Sequence, residues 1–285
     1  RKLQEIDAAP STCTDIPNGY AAFDVAAEEA VLSREDGENC HSGQVDTWQE
    51  PLLVSQSLQE PTYFEVCEDE TSRYLFSNGV PDHAVWTPSE RPQFCKVNYA
   101  IQFPKTPQYD PAYLEETPVS GPMAFSAMNG IPFVAAAWPV SNGFMFEDAA
   151  IVAKGHANAR SHYWHYHSSQ TLNSGAYPPP SQLVGYAMDG FGIYGPLDDS
   201  SVLDECNGVF NEFNGQYQYH MRRMDEIDFS LPQCNEADNR VHNWKPILGC
   251  YRGSTENSRV WQDTGNREGM TCQTTNLKTR RLQSR

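Results

Sequence analysis

The sequence predicts a mainly β protein: a sandwich or barrel-like single large domain with many loops and little helix, stapled by disulfides. Three observations carry this expectation. Short runs rich in β-branched and aromatic residues recur along the chain, and 19 glycines and 20 prolines in 285 residues supply the turns between them. Helical periodicity is rare. Cys13, Cys40, Cys67, Cys95, Cys206, Cys234, Cys250 and Cys272 are even in number and include no Cys-x-x-Cys pair. That argues against a zinc ribbon or a thioredoxin-type redox site, and for four disulfides in an oxidising compartment. The pairing is open, since eight cysteines allow 105 connectivities.

In chain order, residues 24–35 form the best helix candidate, with Asp24 as its cap and Ala, Glu and Leu favouring it. Residues 62–67 and 73–77 read as short strands. Ser77-Asn78-Gly79-Val80-Pro81-Asp82-His83 is a turn, because Asn-Gly supplies positive-φ positions and proline stiffens the exit. Residues 94–103 alternate as a strand, and residues 104–122 are proline-rich and irregular. Asn129-Gly130-Ile131-Pro132 echoes the first turn, but two short turns fall short of an internal repeat. After a stiff Tyr-Pro-Pro-Pro linker ending at Pro180, residues 183–194 read as a strand, a turn at Asp189-Gly190 and a second strand. Tyr217-Gln218-Tyr219-His220 is an aromatic strand, and residues 249–253 form a tight glycine-bounded segment.

The net charge of −17 disfavours nucleic acid as a partner, because phosphate binding needs a basic face. The one basic run, residues 278–285, reads as a tail. No run of about 18 apolar residues occurs, so no transmembrane helix is expected. The chain opens on Arg1 without a signal-peptide pattern, as expected of a processed or trimmed chain. No Gly-x-Ser-x-Gly elbow, P-loop, His-Glu-x-x-His or EF-hand spacing is present.

Residues 155–167 hold His156, His162, His165 and His167, four of the eight histidines. The aromatic run Tyr163-Trp164-His165-Tyr166-His167 favours an extended strand. Side chains alternate in a strand, so His165 and His167 share one face and Trp164 and Tyr166 the other. Two neutral imidazoles on one face can converge on one metal ion. His162 falls on the opposite face from His165.

These segments, in order, resemble the YHYH-domain family, named for a Tyr-His-Tyr-His motif. The resemblance rests on Ser77-Asn-Gly-Val-Pro-Asp-His83, Asn129-Gly-Ile-Pro132, Asp148 with Gly155-His156, and Trp164-His-Tyr-His167. It continues through Leu183-Val-Gly-Tyr-Ala-Met-Asp-Gly-Phe-Gly-Ile-Tyr-Gly-Pro196, Leu203-Asp-Glu-Cys-Asn-Gly208, Tyr217-Gln-Tyr-His220 and Gly249-Cys-Tyr-Arg-Gly253. The resemblance implies an exported protein and a domain over residues 73–253. Residues 1–72 read as an acidic N-terminal region partly packed on it, and residues 254–285 as a C-terminal extension with a basic tail. It implies no particular reaction. Trp164 stands where the family usually has Tyr. Gln218 stands where a histidine often sits, so a second site needing two histidines from that strand is not expected.

The expected metal shell is His156, His165 and His167, with His220 or Asp189 as a fourth ligand; copper or zinc suits such nitrogen donors. Asp189 is also placed to bond its own turn or to orient a histidine. His83 is read as turn chemistry, and Asp204 with Cys206 as a disulfide loop. The function expected is a secreted or cell-surface metal-binding protein. A metal-dependent enzyme with an open coordination position is one alternative. A metal-free structural protein with cell-wall or matrix contacts is the other.

Overall fold

A computed structural model of the chain describes residues 40–42, 52–53, 62–85, 93–95, 99–118, 122–134, 137–140, 143–146, 155–157, 164–168, 176–223, 226, 246–262 and 271–274. The helix expected at 24–35, His162, His242 and the basic tail lie outside them. The described residues are dominated by strands, and helix is limited to 3-10 turns such as Ser200–Val202, which Asp199 caps. The mainly β expectation is borne out. The two large sheets do not close into a barrel.

The five-stranded sheet runs in the order Arg259–Gln262, Tyr99–Pro104, Ser72–Ser77, Phe64–Glu68, Thr271–Thr274, antiparallel throughout. It therefore draws strands from before residue 73 and from after residue 253. Its register sets Val66, Leu75, Ile101 and Val260 in one row across four strands. Leu75, Ile101 and Val260 of that row belong with Phe64 and Phe103 to the main hydrophobic core, and half-buried Val66 packs against it. Period-2 alternation puts Cys67, Tyr74, Phe76 and Ala100 in a separate, smaller cluster.

The six-stranded sheet has the order Pro132–Val134, Pro122–Ser126, Leu183–Ala187, Gly192–Tyr194, Tyr217–His220, Gly208–Phe210. Every residue of Pro122–Ser126 is buried, as suits a strand covered on both faces. The two sheets share one core. The Phe103 ring meets Phe125 at 6.3 Å and Tyr186 at 5.8 Å. Gly190 fixes the approach of the sheets: its φ is +90°, and a Cβ there would lie 2.4 Å from the Pro104 carbonyl oxygen.

Cys206 and Cys250 form a disulfide across 44 residues, with their Cα atoms 4.4 Å apart. A bridge of this kind stabilises by about 2–4 kcal/mol. It sits beside Asp204, whose Oδ1 accepts from the amides of Cys206 (2.9 Å) and Gly208 (2.8 Å), so the expected disulfide loop is present. Cys67 is also disulfide-bonded, and its cross-strand partner is Cys272. Cys40 pairs with Cys95 in a further short ladder.

Candidate functional site

Residues 164–168 run beside Pro132–Val134, parallel to them. Phe133 bridges Tyr166, the Tyr166 amide donates to the Pro132 carbonyl, and the Val134 amide donates to the Tyr166 carbonyl (2.9 Å each). This extends the six-stranded sheet by one more short strand. On its other side, Trp164–His165 pairs with His156–Ala157, and His156 is the direct partner of His165. Gly155, at φ +69°, lets the chain lie against that strand.

The alternation expected from the sequence is present. His165 and His167 are 3% and 2% exposed, and their Nε2 atoms are 3.0 Å apart. The rings are perpendicular, with centroids 4.7 Å apart. His167 Nδ1 lies 3.0 Å from the Val134 carbonyl oxygen, which can only accept, so Nδ1 carries a proton. The Nε2 of neutral His167 is then a lone pair facing His165. Buried imidazoles this close are a chelating pair, or a hydrogen-bonded pair with the proton on His165 Nε2.

On the opposite face, Tyr166 is fully buried. Its hydroxyl lies 2.6 Å from His83 Nε2 and receives a bond of 2.9 Å from Asn129 Nδ2, which also donates to Asp82 (3.0 Å). His83 is therefore more than turn chemistry, since it partners a tyrosine 83 residues away. The sequence hinted at this only by placing Asp82-His83 just after an Asn-Gly turn.

His220 and Asp189, expected as fourth ligands, do not join the pair. From residues 164–166 the sheet steps through 132–134, 122–126, 183–187 and 192–194 before it reaches Tyr217–His220. At about 4.8 Å per step this is roughly 24 Å, far beyond a shared coordination shell. His220 Nδ1 donates to the Gly195 carbonyl (2.7 Å), and its Nε2 faces Gln218 Nε2 (2.7 Å). Burial pushes the His220 imidazole below its ordinary pKa. Asp189 accepts from the Tyr219 hydroxyl (2.6 Å) and from the amides of Gly253 (3.1 Å) and Phe191 (3.3 Å). Desolvation lifts its carboxyl to about 7 against those bonds. Asp189 thus ties its own turn to the 252–253 bend. Among the described residues, no group of three or more His, Cys, Asp or Glu side chains converges.

No family model, no curated protein and no solved structure matches the chain.

Proposed function

We propose that this is a secreted or cell-surface protein that binds a transition-metal ion, copper or zinc, on His165 and His167, with His156 as the third donor. One observation carries the reading: two buried Nε2 atoms 3.0 Å apart, one of them on an imidazole anchored through Nδ1 to the Val134 carbonyl. Anchoring the far nitrogen on a carbonyl fixes tautomer and ring orientation, as metal-ligating histidines require. Two nitrogens each about 2.0–2.1 Å from one ion stand about 2.9 Å apart at a right angle and about 3.4 Å apart at the tetrahedral angle. The observed 3.0 Å lies within that range, and copper and zinc both take such nitrogen donors. His156 is the residue that the ladder sets opposite His165. The Cys206–Cys250 disulfide supports an oxidising compartment. No helix among the described residues is long and apolar enough to cross a membrane. The resemblance to the exported YHYH-domain proteins also supports export.

The competing reading is a metal-free polar pair. With His167 protonated on Nδ1, a proton on His165 Nε2 closes the pair by itself. Elemental analysis of untagged protein separates the two, followed by dialysis against Cu(II) and Zn(II) in turn. About one equivalent of retained metal that is lost in the His165→Ala/His167→Ala double variant is the expected result. No retained metal, or unchanged metal content in the double variant, sinks the reading.

A further inference from the structure

The six-stranded sheet carries the same arrangement twice. Ala127-Met128-Asn129-Gly130 and Ala187-Met188-Asp189-Gly190 share a sequence pattern, and each forms the turn of an antiparallel hairpin. Both turn glycines have positive φ, +72° at Gly130 and +90° at Gly190. In each turn the Asx Oδ1 accepts from the amide two residues on, at 3.3 Å (Ile131 and Phe191). In each, the second hairpin strand is joined in parallel by an x-x-Tyr-His strand: Phe133 pairs with Tyr166, and Ile193 with Tyr219. The Asx side chain then meets the motif tyrosine, Asn129 with Tyr166 at 2.9 Å and Asp189 with Tyr219 at 2.6 Å. The last histidine of each motif bonds through Nδ1 to a backbone carbonyl just past that strand pairing, Val134 or Gly195. The two hairpins meet through Pro122–Ser126 and Leu183–Ala187, which pair antiparallel, as a local two-fold axis requires. One departure is that the second hairpin is a residue shorter, since Tyr186 faces Gly192 where Phe125 faces Pro132.

The geometry points to an internal duplication in which Gln218 and His220 are the second copy of the His165–His167 site, shut by the Gln218 side chain. In the first copy, His165 Nε2 stands 3.0 Å from His167 Nε2; in the second, Gln218 Nε2 stands 2.7 Å from His220 Nε2. Asn211 Nδ2 donates to Gln218 Oε1 at 3.0 Å, which turns the amide nitrogen towards His220. An amide N–H donor occupies the lone pair that an ion needs, and it offers no lone pair of its own. The two tyrosines, on the other face, also differ in their partners: Tyr166 meets half-buried His83, whereas Tyr219 accepts from the Arg252 amide at 2.8 Å. The ligand class is therefore the same imidazole-seeking transition ion in both copies; the ladder sets Val209 opposite Gln218 where it sets His156 opposite His165, so the second copy offers at most two imidazoles, and the Gln218 side chain decides whether they can meet an ion. This rests on the metal reading of the first copy for the chemistry, but not for the duplication.

The test titrates the full, disulfide-intact chain with Cu(II) alone and with Zn(II) alone. Wild type is expected to bind one equivalent, Gln218→His two, and the triple variant His165→Ala/His167→Ala/Gln218→His one. A folded Gln218→His that binds no more than wild type overturns the proposal. If wild type binds nothing while Gln218→His binds one, the function proposed above fails and the duplication stands. If Gln218→His does not fold, the reverse exchange decides. His165→Gln should fold with a thermal midpoint closer to wild type than His165→Ala, because the introduced amide can bond His167 as the Gln218 amide bonds His220. A His165→Gln protein no more stable than His165→Ala overturns the equivalence.

Discussion

Gly155 lies so close to His165 that a Cβ built on it would stand 2.6 Å from the His165 carbonyl oxygen and 2.8 Å from the Tyr166 ring. Its φ of +69° is also one that side chains rarely adopt. The strand bearing the histidine pair is seated on this contact. Gly155→Ala should therefore cost about 1–3 kcal/mol in strain and displacement. It should also weaken Cu(II) or Zn(II) binding at least tenfold, because the obstacle is backbone and cannot swing aside. Denaturant melts and metal titration measure both effects. A variant with wild-type metal affinity would show that the pair does not depend on this seating.

Metal binding at His165 and His167 should weaken as pH falls. The donors must be neutral imidazoles, so binding releases protons and acid competes with the ion. Retained metal, followed by equilibrium dialysis from pH 8 to pH 5, is expected to drop steeply towards the acid end. A flat profile would place the metal on other donors.

Asp189 should make stability depend on pH. Its carboxyl is buried and raised from 3.8 to about 7, chiefly by desolvation. A group whose folded pKa is raised contributes stability that is complete below its unfolded pKa and is lost as pH climbs through the folded value. Ionising Asp189 is thus expected to cost stability between about pH 4 and pH 7, by up to about 4 kcal/mol on the scale of 1.36 kcal/mol per unit. Asp189→Asn should flatten that part of the curve whatever its absolute stability. Equal pH slopes in the two proteins would mean that the carboxylate is held ionised by Tyr219 and the two amides.

Tyr166→Phe should destabilise by about 1–3 kcal/mol, because it removes the hydroxyl that bonds Asn129 and His83 in or near the core. Urea unfolding is the check. The metal stoichiometry should stay at the wild-type value, since the hydroxyl lies on the face opposite His165 and His167. Loss of metal in this variant would tie the two faces together.

Much of the fold was legible in the sequence because it is local. The period of 2 in the Trp164–His167 stretch placed the two histidines on one face, and their Nε2 atoms do meet at 3.0 Å. Asp189-Gly190 and Asn129-Gly130 announced their turns because only certain residues accept positive φ. Asp204 and Cys206 read as a disulfide loop, and Asp204 caps the turn beside the Cys206–Cys250 bridge. The spacing of motifs along the chain set His220 and Asp189 beside the pair without saying how far away they lie.

The sequence by itself determined what each segment does alone: which residues alternate, where the chain turns, and which side chains bear lone pairs. Only the tertiary structure decided which segments are neighbours. His83 meets Tyr166, and His220 ends five strands away from the histidine pair. The physical reason is that strand order and register come from burying many apolar faces together in one core. That is a property of the whole chain, and no single motif encodes it.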